Sequence, residues 1–108
     1  MQTDQAKFIQ QSEQAYMISG KVDFSTVPDL MQQAKGLFAI KNQSNLVKCT
    51  VNLSQVSACN SAGLALMIEL VREARRNNIE LQFKNMPDSL QSIAKAYGVE
   101  EEIRDLNR

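Results

Sequence analysis

The run from Asn60 to Leu64 is the only stretch of this 108-residue sequence whose residue types suggest chemistry. Either Asn60 or Ser61 can accept a hydrogen bond from the unpaired amides at the start of a helix, which predicts a helix N-cap here. Gly63 has no side chain, so the first turn of that helix can lie close to another backbone. The same amides could hold an anion weakly, as the start of any helix can. The chemistry of this run is therefore capping, close packing and polar contact.

A half-buried strand and a long helix must position this run. Before the run, four apolar residues alternate with polar ones, which is the period of a strand with one buried face: Val47, Cys49, Val51 and Leu53. A polar turn follows. After the run, apolar residues recur at helical spacing as far as Arg76: Leu64, Met67, Ile68 and Val71.

The apolar arc of this helix covers roughly half of its circumference, more than the usual stripe of about 100° or somewhat wider. The arc runs from Leu66 and Leu70 at one end to Leu64 and Ile68 at the other. Two interpretations follow. Either neighbouring helices cover its flanks, or one flank, next to Ser61, binds a partner.

The other segments complete a small α/β pattern. The sequence predicts a hairpin over residues 7–11 and 15–21, a helix over 27–38 capped by Ser25 or Thr26, a strand over 79–83, and a helix over 90–97 that ends at Gly98. Residues 99–106 could add a further amphipathic turn or two. This order implies parallel crossovers. We therefore expect one domain over residues 1–108, with a mixed four-stranded sheet and helices mainly on one face.

The composition excludes several classes of function. Twelve basic residues balance twelve acidic ones, so the chain lacks the net positive charge that nucleic-acid binding usually needs. With no histidine and two cysteines, it offers no zinc ligand set and no Ser-His or Cys-His nucleophile pair. It also has no glycine-rich phosphate loop. We expect no catalytic residue, no metal and no cofactor.

The N-terminal segment, the length of the apolar segments and the cysteine content predict a cytoplasmic protein. Residues 1–10 lack the basic start and apolar stretch of a signal peptide. No segment approaches the roughly 20 apolar residues needed to cross a bilayer. Cys49 falls on the inward phase of its strand, where a reduced cysteine behaves as a small hydrophobe.

The strand, the run Asn-Ser-Ala-Gly-Leu and the long helix resemble the STAS domain, a family found in sulfate transporters and anti-sigma-factor antagonists. The motif of that family is Asp-Ser/Thr-x-Gly-Leu, and the antagonists are phosphorylated on its Ser or Thr. The resemblance thus makes Ser61 the candidate phosphorylation site. Asn60 replaces the usual aspartate, which disfavours a kinase that recognises the carboxylate.

Three further stretches, residues 53–57, 63–66 and 92–97, resemble the small STAS subunit of the bacterial Mla, or Ttg2-like, phospholipid-transport system. This resemblance implies a non-catalytic regulatory or stabilising subunit. It would bind the cytoplasmic ATPase of an ABC transporter, and through it the permease complex, at the inner membrane without inserting into it. The predicted partner-binding residues are Asn60, Ser61, Ala62, Gly63, Leu64, Leu66 and Leu70. The alternative is an anti-sigma-factor antagonist regulated by phosphorylation of Ser61.

Overall fold

A computed structural model of the chain describes residues 6–41, 45–99 and 101. The elements in chain order are β1 (Lys7–Ser12), β2 (Ala15–Val22), α1 (Val27–Lys41), β3 (Val47–Cys59), α2 (Ser61–Arg76), β4 (Ile79–Lys84) and α3 (Asp88–Ala96). The predicted order of strands and helices is confirmed. Most of the polar segment after α1, and most of the extra turn predicted over residues 99–106, lie outside the described residues.

The four strands form one mixed sheet in the order β1-β2-β3-β4. Strands β1 and β2 are antiparallel, as predicted for the hairpin, whereas β2–β3 and β3–β4 are parallel. Parallel strands end at the same edge of a sheet, so β2, β3 and β4 direct their carboxyl ends toward one side of the molecule. None of the described helices is both long enough and apolar enough to span a bilayer.

The core lies between one face of the sheet and the helices. Tyr16, Val51 and Phe83 are neighbours across β2, β3 and β4, and all three are fully buried. They belong to one apolar cluster with side chains of all three helices. In β4 and the first half of β3 the alternate residues are polar and face away from it; Thr50 and Gln82, for example, are partly exposed. The predicted arrangement of helices on one face is thus confirmed.

β3 is longer than the sequence indicated. We expected the strand to end near Leu53 and a polar turn to follow, and this prediction is wrong, because β3 continues to Cys59. The end of β2 pairs with this extension, for example Gly20 with Val56 and Val22 with Cys59. Two register shifts interrupt the β2–β3 pairing, so the extension shows no regular alternation of apolar and polar residues.

Candidate functional site

The run from Asn60 to Leu64 joins the end of β3 to the start of α2. Val22 at the end of β2 pairs with Cys59, and the Asn60 amide donates a hydrogen bond to the Val22 carbonyl oxygen at 3.3 Å. The β2 end, the β3 end and the first turn of α2 therefore lie next to one another.

Asn60 is the N-cap of α2, which confirms one of the two predicted alternatives. Its backbone is extended, with φ −115° and ψ −164°, and its side-chain oxygen accepts a hydrogen bond from the Ala62 amide at 2.8 Å. Its carbonyl oxygen accepts another from the Gly63 amide at 2.9 Å. Two of the unpaired amides at the helix start are satisfied in this way.

Ser61 is the first residue of α2 and is partly exposed. Because Asn60 provides the cap, the Ser61 hydroxyl is not needed for it. Within the described part of the chain, this hydroxyl makes no hydrogen bond to another protein group. It is available to an external group at the mouth of the helix.

Gly63 lies against the Cys59 side chain, as expected of a close approach. A Cβ atom at this position would overlap the Cys59 Sγ atom and would lie 3.6 Å from Leu90 Cδ1. The Cys59 thiol donates a weak hydrogen bond to the Asn60 carbonyl oxygen at 3.4 Å. Burial raises the pKa of this thiol, and the Gly63 amide offsets only part of the rise. A raised pKa keeps the thiol protonated, so it is a poor nucleophile.

Leu66 and Leu70, which the sequence analysis placed among the partner-binding residues, are not exposed. Their side chains are 2 % and 0 % exposed, and Ala62, Gly63 and Leu64 are also buried. Helix α2 packs against α1, α3 and the sheet, so its neighbours cover most of the apolar arc, including the part that carries Leu66 and Leu70. Next to the site, α2 exposes Ala65 and the larger apolar side chain of Ile68, which is 38 % exposed.

Charge is unevenly distributed along the solvent side of α2. The last two turns carry ion pairs between Glu69 and Arg72 at 3.1 Å and between Glu73 and Arg76 at 3.0 Å. By contrast, residues 49–68 contain no charged side chain. The surface formed by the end of β3, the Ser61 turn and the start of α2 is therefore neutral, which is typical of the centre of a protein interface. This uncharged run was a sequence signal that the periodicity analysis missed.

Sequence reasoning also missed Phe24, which follows β2 and is 71 % exposed. It lies two residues beyond Val22, whose carbonyl oxygen is bonded to the Asn60 amide. Its signal was a large apolar residue within the polar segment from Asp23 to Thr26.

The arrangement offers polar groups that can contact another molecule. No cluster of three acidic or cysteine side chains that could hold a metal occurs among residues 6–41, 45–99 and 101. The sequence has no histidine to act as a base for Ser61 or Cys59. A neutral helix start with an available hydroxyl is best suited to binding another molecule.

Comparison with known proteins gives a family match and two likenesses of fold. A family model described as "Mlab, STAS domain" matches residues 8–106. The curated proteins include no match in sequence.

Among solved structures, the unphosphorylated form of the anti-sigma factor antagonist SpoIIAA is similar, with a TM-score of 0.67 at 12% identity over 95% of this chain and 85% of that one. A sulfate transporter family protein from Wolinella succinogenes gives 0.62 at 14% identity, over 92% of this chain and 78% of that one. At these identities the likeness shows the fold alone.

Proposed function

The chain belongs to the STAS domain family, and on that premise we propose that it is a non-catalytic regulatory or stabilising subunit of a phospholipid-transport ABC transporter. In this role it binds the cytoplasmic ATPase through the Ser61 turn and the start of α2. Its place in the cell is then the cytoplasmic side of the inner membrane, where the partner holds it.

The observation that carries the proposal is the neutral surface around Ser61. It combines an available hydroxyl, the polar cap Asn60 and the exposed part of Ile68, with no charged side chain between residues 49 and 68. Interface centres are depleted in charge because an unpaired charge is costly to bury. The description of the family model and the likeness of residues 53–57, 63–66 and 92–97 to Mla STAS subunits favour an ABC ATPase as the partner.

The buried leucines of α2 have a different role from the one that the sequence suggested. Leu66 and Leu70 hold the helix on the sheet and against its neighbours, so they fix the position of the surface without touching the partner. The proposed contacts are therefore Asn60, Ser61 and Ile68.

Binding of this kind affects the ATPase without any reaction on this chain. A subunit that binds only the folded, competent form of the ATPase raises the population of that form by mass action. The form is stabilised by about 2.7 kcal/mol when the subunit concentration is 100 times Kd. The transporter gains stability and activity, and the bound subunit is unchanged.

The test is to purify the transporter with and without this chain and to measure ATP hydrolysis. We expect the chain to copurify with the ATPase, the rate to fall when it is removed, and the rate to recover when the purified chain is added back. A transporter that is fully active without the chain would contradict the proposal.

A second candidate function is favoured by the position of Ser61. Its hydroxyl is accessible at a helix start, where a kinase could reach it, and SpoIIAA is an anti-sigma factor antagonist with the same fold. The chain would then bind a serine kinase and be released by phosphorylation of Ser61. Transfer of phosphate from ATP to the wild-type chain by a cognate kinase, and its absence in Ser61→Ala, would favour this function.

A further inference from the structure

Phe24 is an aromatic side chain that the fold leaves in solvent. It is 71 % exposed and lies in the turn between β2 and α1. A single exposed apolar residue is ordinary on a protein surface. Phe24 differs because the turn that carries it is strongly fixed.

The Asp23 carboxylate organises this turn. Its Oδ1 atom accepts hydrogen bonds from the Ser25 amide at 2.9 Å, the Ser25 hydroxyl at 2.6 Å and the Thr26 amide at 3.1 Å. The hydrogen bond from the Ser25 hydroxyl is the main cause of the lowered pKa of Asp23, so the carboxylate remains charged further into the acid range than an ordinary aspartate.

Thr26 completes the turn from the other side. Its Oγ1 atom accepts a hydrogen bond from the Asp23 amide at 3.0 Å and donates to the Lys21 carbonyl oxygen at 2.9 Å. Four residues are thus linked across Phe24. Because the backbone of this turn is already fixed, it loses little conformational freedom when Phe24 contacts a partner. The entropic cost of such a contact is therefore lower.

The turn that carries Phe24 lies next to the Ser61 turn, and the two charged side chains closest to Phe24 in sequence are paired. Lys21 and Asp23 lie 3.9 Å apart and offset each other's charge, and the Asn60 amide is bonded to the residue two positions before Phe24. One partner surface could therefore cover the Ser61 turn and the Phe24 ring together.

We propose that Phe24 is an anchor of the interface with the ATPase, that its ring enters an apolar pocket on that subunit, and that Asp23 is the positioning residue that presents it. This inference rests on the proposed function and extends it to a second turn of the chain. Buried aromatic side chains are frequent energetic centres of interfaces because each removes a large apolar area from water.

The experiment compares the affinities of full-length variants for the purified ATPase by calorimetry. Phe24→Ala should weaken binding about 10-fold or more. Its thermal midpoint should stay within about 3 °C of the wild type, because the ring is mostly exposed. The matched control is Ile40→Ala, which removes an apolar side chain that is 82 % exposed near the far end of α1. This control should bind within about 2-fold of the wild type.

A double-mutant cycle tests the positioning role of Asp23. Asp23→Ala should weaken binding in the wild-type background and add nothing in the Phe24→Ala background, since it acts through Phe24. Asp23→Asn keeps an acceptor oxygen for the Ser25 and Thr26 amides and should restore most of the affinity. Additive losses from the two alanine variants would overturn the positioning role.

The other outcomes separate this inference from the proposed function. If the wild-type chain does not bind the ATPase, the proposed function fails and this inference fails with it. If the wild type binds and Phe24→Ala binds equally well, only this inference fails. A dimer of this chain that Phe24→Ala dissociates would show that a second copy, and not the ATPase, covers the ring.

Discussion

At the scale of single residues, the two described helical glycines have opposite roles. Gly63 lies where a Cβ atom would overlap the Cys59 thiol, whereas a Cβ atom at Gly36 in α1 would meet nothing within 4 Å. Glycine is thus required at position 63 by packing. At position 36 it costs conformational entropy without an evident return.

Gly63→Ala should lower the free energy of unfolding by about 1–3 kcal/mol, because the extra methyl group must displace Cys59 or shift the helix. The matched variant Gly36→Ala should raise it by about 0.5–1 kcal/mol. Urea denaturation of both proteins measures these differences. Equal effects of the two substitutions would contradict the packing role of Gly63.

Ser61 should respond to charge more than to the loss of its hydroxyl. A negative charge at the start of α2 gains only about 0.3–1 kcal/mol from the helix dipole. Burying it against an apolar partner surface without an arginine costs several kcal/mol. Repulsion from the interface therefore exceeds the gain.

Ser61→Asp and Ser61→Glu should each weaken binding to the ATPase more than Ser61→Ala does, by about 10-fold or more. The control is Ser89→Asp, which places the same charge in the exposed first turn of α3 and should leave the affinity unchanged. Calorimetric titration gives both values. Equal affinities for all three Ser61 variants would remove this residue from the interface.

Tyr16 is a core residue whose buried hydroxyl is poorly satisfied by hydrogen bonds. Its ring packs against Phe8 and Phe38 at centroid distances of 5.3 and 5.4 Å. Its hydroxyl is buried beside the thiol of Cys49, a weak hydrogen-bonding group. Burial, together with the Cys49 thiol, raises the pKa of Tyr16 to about 12.

Tyr16→Phe should therefore change the free energy of unfolding by less than about 1 kcal/mol, or increase it, because a poorly satisfied buried hydroxyl is removed. Tyr16→Ala, which leaves a cavity, should cost about 3–5 kcal/mol. Chemical denaturation distinguishes the two. A loss of more than about 2 kcal/mol in Tyr16→Phe would indicate a strong hydrogen bond from this hydroxyl.

At the scale of elements, the start of α2 depends on its cap. Asn60→Ala should cost about 1 kcal/mol of stability, because the Ala62 amide loses its acceptor. Asn60→Asp keeps the acceptor and adds a negative charge at the positive end of the helix dipole, so it should equal or exceed the wild type by a few tenths of a kcal/mol. Thermal unfolding checks the expected order of stability: Asn60→Asp should be at least as stable as the wild type, and the wild type should be more stable than Asn60→Ala. A fully stable Asn60→Ala variant would show that the cap is dispensable.

Element types were predictable from the sequence where one physical rule determines them. The alternation from Val47 to Leu53 gave the first half of β3, and the helical spacing after Gly63 gave α2. The second half of β3 was missed because its pairing with β2 is a tertiary interaction, and its register shifts remove the period of two.

The solvent face of α2 was also beyond the reach of periodicity. A wide apolar arc is compatible with an exposed flank or with neighbours on both sides, and only the packing of α1 and α3 decides between them. Asn60 and Gly63 were predictable because capping and close approach are local. Phe24 was not, because its exposure depends on how the turn after β2 is held.

At the scale of the whole molecule, the neutral surface lies at the edge of the sheet where β2 and β3 end. The net charge of the chain is zero, but the charges are absent from residues 49–68 and present along the rest of α2. This separation gives the molecule one surface suited to an apolar partner and another that stays in water. The sequence was sufficient to predict the family. It could not identify the partner, because that also depends on the surface of the partner protein.

Hydrogen exchange measured by mass spectrometry, on this chain alone and with the purified ATPase, tests the central claim most directly. We predict that the ATPase slows exchange in peptides that cover residues 57–68 and 23–26, and leaves the exposed end of α3 unchanged. Unchanged exchange at residues 57–68 in a complex that has formed, or protection confined to another surface, would contradict the account.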